Sequence, residues 1–575
     1  MDIKRTVLWV IFSMSLLLLW DNWMRHNGKQ SMFSPATPSQ QAKTVSASAV
    51  AGAASASAAS AATTAAPANA AAASTEVKSE TITITTDVVK ADIDTIGGEI
   101  KRLELLKYPD SVDASQNVVL FDQRGDQIRK EKTGFFGLFS GTKDVVVPAR
   151  IYKAQTGLVG GNFPNHKSGF VAQPGNRTLG DAKELSLVLV SEQNGVTLTK
   201  TYTFKKGEYL IDVKHAVTNN SAAPIAPSLY MQLIHDGTKP TGGSMFTGNV
   251  EFYAPAVYTD AEKFRKLDFE KIESGKEVLS TKANDGWVSV IQHFFVSAFI
   301  PQDKVAREVF TKKVDTNLYA VGSIVALGNV APGATATMDS RLYSGPQESA
   351  VLEKIAPGLD LVKDYWYFAM IAQPMFWIME FMHKFLGNWG WTIVVFTIAI
   401  KLALFPLSAA GYRSMAKMKV VTPKMTALKE KYKNEPQKLN MAMMELYKTE
   451  KINPLGGCLP ILIQMPIFLA LYWVLQASVE MRGAPWIGWI TDLTKPDPYL
   501  VLPILYMISM YITTKLSPAP ADPIQAKMML FMPLLFSVMF VFFPSGLVLY
   551  WVVNNILSIG QQWVINNKIV PPEHR

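Results

Sequence analysis

Long charge-free runs and stretches of strict alternation lie in different parts of this chain, and they divide it. From Val7 to Trp20 there is no charge, and Lys4 and Arg5 precede the run. A membrane helix needs about 20 apolar residues, at ~1.5 Å each, to cross ~30 Å. With Ile3 and Trp23 included, this run reaches that length. Trp20-Asp21-Asn22-Trp23 follows without a small-residue cleavage pattern, so the segment reads as an uncleaved anchor. A cleaved signal is the alternative, because Ala-x-Ala triplets occur further on.

The C-terminal third carries the other apolar runs. Trp389 to Leu407 is apolar except for Lys401. Leu455 to Leu475 lies inside a charge-free run from Ile452 to Val479, and Tyr499 to Thr514 is the next span. Met528 to Asn567 has no charge and is too long for one helix; Phe543-Pro544-Ser545-Gly546 cuts it, since Pro and Gly together favour a tight turn. The pattern predicts five helices here and six in all. Pro374 to Leu386 is aromatic-rich, carries few charges and is too short to span. It reads as an interfacial helix, with a core helix of the preceding domain as the alternative.

Between the first two spans the pattern changes twice. Ser34 to Ser79 is almost entirely Ala, Ser, Thr, Pro and Gln, which cannot bury enough apolar surface to offset its ordering entropy. From Glu80 the period becomes two: Thr81-Ile82-Thr83-Ile84-Thr85, then Val88 to Leu106 around Gly97-Gly98, then Val196 to Val217 around Lys206-Gly207. Further strands are expected near Val288 to Ile300 and Thr335 to Ser344. A large β-sandwich follows from this. The expected boundaries are an anchor at 1–24, a linker at 25–79, a β-sandwich at 80–350, connecting and interfacial helices at 351–388, and a five-helix core at 389–570.

Charge sets the expected orientation. Ser408 to Asn453 holds ten Lys/Arg and four Asp/Glu, so the positive-inside rule places this loop in the cytoplasm. Lys4 and Arg5 favour a cytoplasmic N-terminus. One crossing then puts the β-sandwich outside, and the C-terminus ends inside. Within 408–453, Glu435-Pro436 breaks the loop into a helical hairpin, and Thr422-Pro423 resembles an N-cap with Pro at the first helical position. Met415, Met418, Met425, Met441, Met443 and Met444 punctuate it. They form an adaptable apolar surface or simply pack the hairpin. Its basic charges suit anionic headgroups or RNA.

Catalytic constellations are missing from the sequence. The seven His residues form no His-Glu-x-x-His pair, and there is no P-loop and no Gly-x-Ser-x-Gly elbow. The one cysteine, Cys458, allows neither an intramolecular disulfide nor a Cys-based zinc site.

Lys401 carries the most physical content. A charge at mid-bilayer costs ~2.5–3.5 kcal/mol on insertion scales. It lies about 18 Å along the helix from Trp389 and about 9 Å from Leu407. It either snorkels to the inner headgroups or faces a water-filled cavity open to the cytoplasm. Thr397 is one turn away, Gln464 lies in the third span, and Asn554, Asn555, Ser558, Gln561 and Gln562 lie in the last. These polar companions favour the cavity, with interhelical hydrogen bonding as the alternative.

Asn453-Pro454-Leu455-Gly456-Gly457-Cys458-Leu459-Pro460, Gln464-Met465-Pro466-Ile467-Phe468, Phe543-Pro544-Ser545-Gly546-Leu547-Val548-Leu549-Tyr550 and Ser414-Met415-Ala416-Lys417-Met418 closely resemble the YidC membrane protein insertase family, over roughly residues 365 to 570. With its anchor and large exported domain, the chain looks like the Gram-negative form. The resemblance implies a membrane α-helical bundle with a five-helix insertase core and a periplasmic all-β supersandwich domain, in the inner membrane. It implies a hydrophilic groove in which a basic residue on the second span, here Lys401, attracts polar or acidic substrate tails. With the polar companions and methionines read above, the expected lining is Lys401, Thr397, Gln464, Trp551, Asn554 and Asn555, and the expected hairpin contacts are Met415, Met418, Met425, Met441 and Met444. The resemblance implies insertion without nucleotide or other cofactor. Its expected partners are nascent membrane proteins, the lipid bilayer, the Sec translocon and the ribosome with its signal recognition machinery, and not DNA. Where the family usually has arginine this chain has Lys401, keeping the charge but not the planar fork. Trp551 stands where a tyrosine is frequent. A small-solute transporter would instead show an internal repeat and ionisable residues in several spans, neither of which is visible. A membrane-anchored sugar-binding module would need aromatics and carboxylates clustered on the β-domain.

Overall fold

The computed structural model describes residues 79–565 apart from short segments at 111–112, 114, 134–140, 239–251, 278, 303, 366–367, 433–434, 451–458, 517–526, 529 and 532–536. The expected anchor at 1–24 and, but for Ser79, the expected linker at 25–79 lie outside the described residues, as do residues 529 and 532–536 of the expected span from Met528 to Phe543.

The alternation read from Glu80 onward builds two antiparallel sheets. In the first, the strands Thr81–Thr85, Val89–Asp94, Glu99–Pro109, Arg150–Val159, Ser228–Asp236, Leu318–Ala326, Arg307–Asp315 and Ser280–Ala283 neighbour one another in that order. In the second the order is Lys263–Lys266, Tyr253–Thr259, Trp287–Gln292, Phe295–Pro301, Thr335–Pro346, Leu210–Asn219, Val196–Lys205, Glu184–Gln193 and Val171–Ala172. A separate two-stranded ribbon pairs Gln127–Thr133 with Gly141–Val147. The inward faces of both sheets, among them Ile84, Leu103, Leu187, Leu198, Leu233 and Val321, share one buried core. The turn at Gly97-Gly98 needs glycine: Gly97 has φ +77°, and a Cβ there would come within 2.4 Å of the His166 carbonyl oxygen.

One inward position on the strand Val196–Lys205 is a lysine. Val196, Leu198, Lys200, Tyr202 and Phe204 all face the core, and Lys200 is fully buried. Its amine donates to the carbonyls of Gly97 (2.6 Å) and Thr156 (2.8 Å) and lies over the Phe170 ring. Burial pushes it down to about 7, against a smaller opposing pull from Glu99.

Two short strands, Asn117–Val119 and Asp122–Arg124, pair with Glu99–Pro109 and Arg150–Val159 beside the first sheet, and the remaining regular elements are helices. Two short helices, α1 (Phe269–Glu273) and α2 (Ser349–Ile355), belong to the β-domain. Among the described residues the C-terminal region includes α3 (Ala369–Leu386), α4 (Trp389–Ala403), α5 (Phe405–Lys431), α6 (Pro436–Thr449), α7 (Leu459–Ala477), α8 (Val501–Leu516) and α9 (Ser545–Val564). α9 packs against α8 and α4, and α3 packs against α7 and α4.

Three expectations change. The span read as Trp389 to Leu407 is not one helix: it breaks at Leu404, and α4 meets the first part of α5 at 64°. Pro406 is the cause, since it has no N–H for the Leu402 carbonyl and its ring clashes with a continuing helix. Thr422-Pro423 is not a helix start but lies inside α5, where the Thr422 hydroxyl donates to the Met418 carbonyl at 2.9 Å. The helix expected from Pro374 begins at Ala369, five residues earlier, and keeps that proline inside. Among the described residues no single helix is long and apolar enough by itself to cross a membrane; the bent pair α4–α5 passes that test jointly, and Gln464–Ala477 and Val501–Leu516 are shorter apolar helices. The expected count of six spans thus rests on the sequence.

α3 is two-faced. Ala372, Met375, Phe376 and Met379 are buried in the helical core. Met370, Trp377, Phe381 and Phe385 are exposed, an apolar face that no other described residue covers.

Candidate functional site

The break at Leu404 places Lys401 in the last turn of α4, where the negative end of the helix dipole favours a cation. Its backbone carbonyl receives Gln561 Nε2 from α9 at 3.3 Å. Its side chain is 7% exposed, and Nζ donates to Ser558 Oγ of α9 at 2.7 Å. Among the described residues no carboxylate pairs with it. Ser558 in turn donates to the Asn554 carbonyl at 2.7 Å.

From Asn554 the network crosses to α7. Gln464 Nε2 donates to Asn554 Oδ1 and approaches Tyr550 OH at 3.5 Å. Tyr550, Asn554 and Ser558 recur every four residues, so they form one stripe along α9. A cation from α4, an amide from α7 and this stripe thus meet inside a block whose other buried residues are mostly apolar.

The remaining candidates fall beside this cluster. Thr397 is one turn from Lys401 but fully buried, with its hydroxyl donating to the Ile393 carbonyl of its own helix at 2.6 Å. Asn555 points the other way around α9 and donates to Ser509 Oγ of α8 at 3.2 Å. Trp551 is half-buried among Phe468, Tyr506 and Phe540, with ring centroids 4.9, 6.1 and 6.0 Å away. It is packed as an aromatic wedge between α7 and α8. Tyr550 and Ser509 were absent from the sequence-based set, although the four-residue spacing through Asn554 pointed to Tyr550.

In the hairpin, Lys424 Nζ of α5 meets Glu450 Oε1 just after α6 at 2.6 Å. Met441 and Met444, on one face of α6, are exposed, whereas Met418 and Met425 of α5 are half-buried. The Met415 side chain lies outside the described residues.

Two sequence profiles match the chain: "60Kd inner membrane protein" over residues 381–572, and "YidC periplasmic domain" over residues 81–147 and 146–378. A membrane protein insertase YidC of Herminiimonas arsenicoxydans is 57% identical, covering 99% of both chains. That of Janthinobacterium sp. (strain Marseille) is also 57% identical over 99% of both. A solved structure described as an active YidC insertase with the first transmembrane domain resolved is 19% identical, covers 84% of this chain and 92% of that one, and has a TM-score of 0.38. The chain belongs to the YidC family of membrane protein insertases, with that family's periplasmic β-sandwich domain and helical C-terminal region.

Proposed function

We propose that this protein inserts integral membrane proteins into the inner membrane and helps them fold, through a hydrophilic path along α4, α7 and α9, without nucleotide hydrolysis. The observation that carries this reading is Lys401, a buried cation with a hydroxyl partner and, among the described residues, no carboxylate, linked through Ser558 and Asn554 to Gln464. Family membership supports the activity, because the relatives that match over the full chain are named insertases.

A substrate reaches the exposed face of α6 at Met441 and Met444. The basic hairpin, with ten Lys/Arg against four Asp/Glu from Ser408 to Asn453, suits a ribosome or signal recognition machinery nearby. The short polar tail of the substrate exchanges its water for the amides and hydroxyls of the cluster, and an acidic tail gains the charge of Lys401. The apolar segment then partitions into lipid, which is downhill. The tail leaves outward, helped for each negative charge by ~2.3 kcal/mol per 100 mV of membrane potential. Both termini lie in the cytoplasm and the β-domain in the periplasm. The chain works alone or beside the Sec translocon.

Proteoliposomes holding the purified protein test this with a short-tailed substrate. A unit charge pair ~8 Å apart at an effective dielectric near 20 is worth ~2 kcal/mol, about 30-fold. Lys401→Arg should keep insertion of an acidic-tailed substrate, Lys401→Ala should slow it by about that factor, and Lys401→Glu should slow it more. If the Ala and Glu variants match wild type, the charge has no such role.

A further inference from the structure

The turn after α7 sits where the two halves of the protein meet. Val479 lies in the core of the β-sandwich, while Met481, two residues on, lies in the core of the helical region. Between them Glu480 accepts Lys363 Nζ on both carboxylate oxygens, at 2.9 and 3.0 Å. The Lys363 side chain is 1% exposed, and its ammonium sits 3.9 Å from the centroid of the Phe376 ring on α3. Lys363 directly follows the turn Leu359–Val362, whose two end residues are buried in the β-domain's second core cluster with Leu352 of α2.

Further bonds fix the same turn. Arg482 Nη2 donates to the Pro109 carbonyl at 2.7 Å, and its guanidinium lies over the Phe294 and Phe295 rings. His293, at the tight turn between two β-domain strands, bonds the Gln476 carbonyl in the last turn of α7 through Nε2 at 2.8 Å. Burial pushes Lys363 down and Glu480 up, each opposed by the partner's charge, so neither charge is stable there alone.

α7 is the helix that carries Gln464 and Phe468 to the polar cluster and to Trp551. Gln476 and Gln464 are twelve residues apart, ~18 Å along one helix. We propose that the Ser478–Arg482 turn is a positioning joint: through Lys363 and Glu480, the β-domain holds the outer end of α7 and thereby sets where Gln464 stands against Asn554. Lys363 and Glu480 are positioning residues, since neither touches the cluster. This rests on the insertase reading for its functional half only.

The test uses the full chain in liposomes, with Cys458→Ser and spin labels at Lys214→Cys on the β-domain and Lys495→Cys on the loop after α7. Distances and insertion of a short-tailed substrate are read together. Wild type should give one narrow distance. Glu480→Gln and Lys363→Met each leave one buried charge without its partner, and each should broaden the distance and slow insertion by about 3- to 30-fold. The double variant Lys363→Met/Glu480→Gln removes both charges, keeps a thioether over the Phe376 ring, and should restore the narrow distance and the insertion rate relative to either single variant. A merely local packing loss would instead worsen in the double variant, and that result overturns the joint. So does slowed insertion at an unchanged distance, or a restored distance without restored insertion. If wild type inserts nothing, the insertase reading fails, while the distances still judge the docking of the two halves. A single variant too unstable to purify is replaced by Arg482→Gln, which removes the bond to Pro109; it should broaden the distance and slow insertion, and normal values of both overturn the proposal.

Discussion

Replacing Lys200 with Met should flatten the pH dependence of the β-domain's stability between about pH 7.5 and 9.5. Burial lowers this lysine from 10.5 to about 7, so over that window the unfolded chain holds a proton there that the folded domain does not. Stability therefore rises with pH, at a limiting slope of ~1.4 kcal/mol per pH unit, and the whole shift is worth at most ~5 kcal/mol. Below pH 7 both states are protonated and the dependence ends. The β-domain histidines that burial lowers, His215 to about 3, His235 and His293 to about 4, and His166, are neutral throughout this window, so they add little to the slope. Absolute stability is the wrong readout, because Lys200→Met leaves the Gly97 and Thr156 carbonyls without their donor while gaining apolar contact. The slope is the right one. Urea unfolding of the full chain in detergent, sampled by brief proteolysis of the β-domain at several pH values, measures it. A Lys200→Met protein that keeps the wild-type slope would refute the reasoning.

Two further sets of substitutions separate support from surface. Ser558→Ala removes the hydroxyl that accepts Lys401 Nζ and should lower the thermal stability of the helical region in detergent by ~1–3 kcal/mol; adding Lys401→Met should recover most of that loss, and additive losses would mean the two residues are uncoupled. Met441→Gln with Met444→Gln changes exposed positions, so stability should stay within ~0.5 kcal/mol while photocrosslinking of α6 to a nascent apolar segment falls; undiminished crosslinking would remove α6 from the capture step.

Much of the β-domain was legible because a strand's period is two and one face must be buried. The parity of Val196, Leu198, Tyr202 and Phe204 fixes their inward face, and the same parity puts Lys200 among them, a buried lysine at a position the strand assigns to the core. Hydropathy served less well in the helices. It registers that Trp389 to Leu407 is apolar but not that Pro406 bends the path, and the bend is what brings Lys401 to a helix end where Gln561 reaches its carbonyl. The cluster around Lys401 was half legible: a four-residue stripe on α9 marks Asn554 and Ser558, yet nothing local says that Thr397 satisfies its own helix instead of joining them. The joint was not legible at all. Lys363 and Glu480 are 117 residues apart, each ordinary in its own segment, and only the meeting of two separate cores makes a buried pair of them. Sequence periodicity reports which face of an element is buried. It does not report which distant element supplies the cover, and in this protein that second kind of information links the β-domain to the helix bearing Gln464.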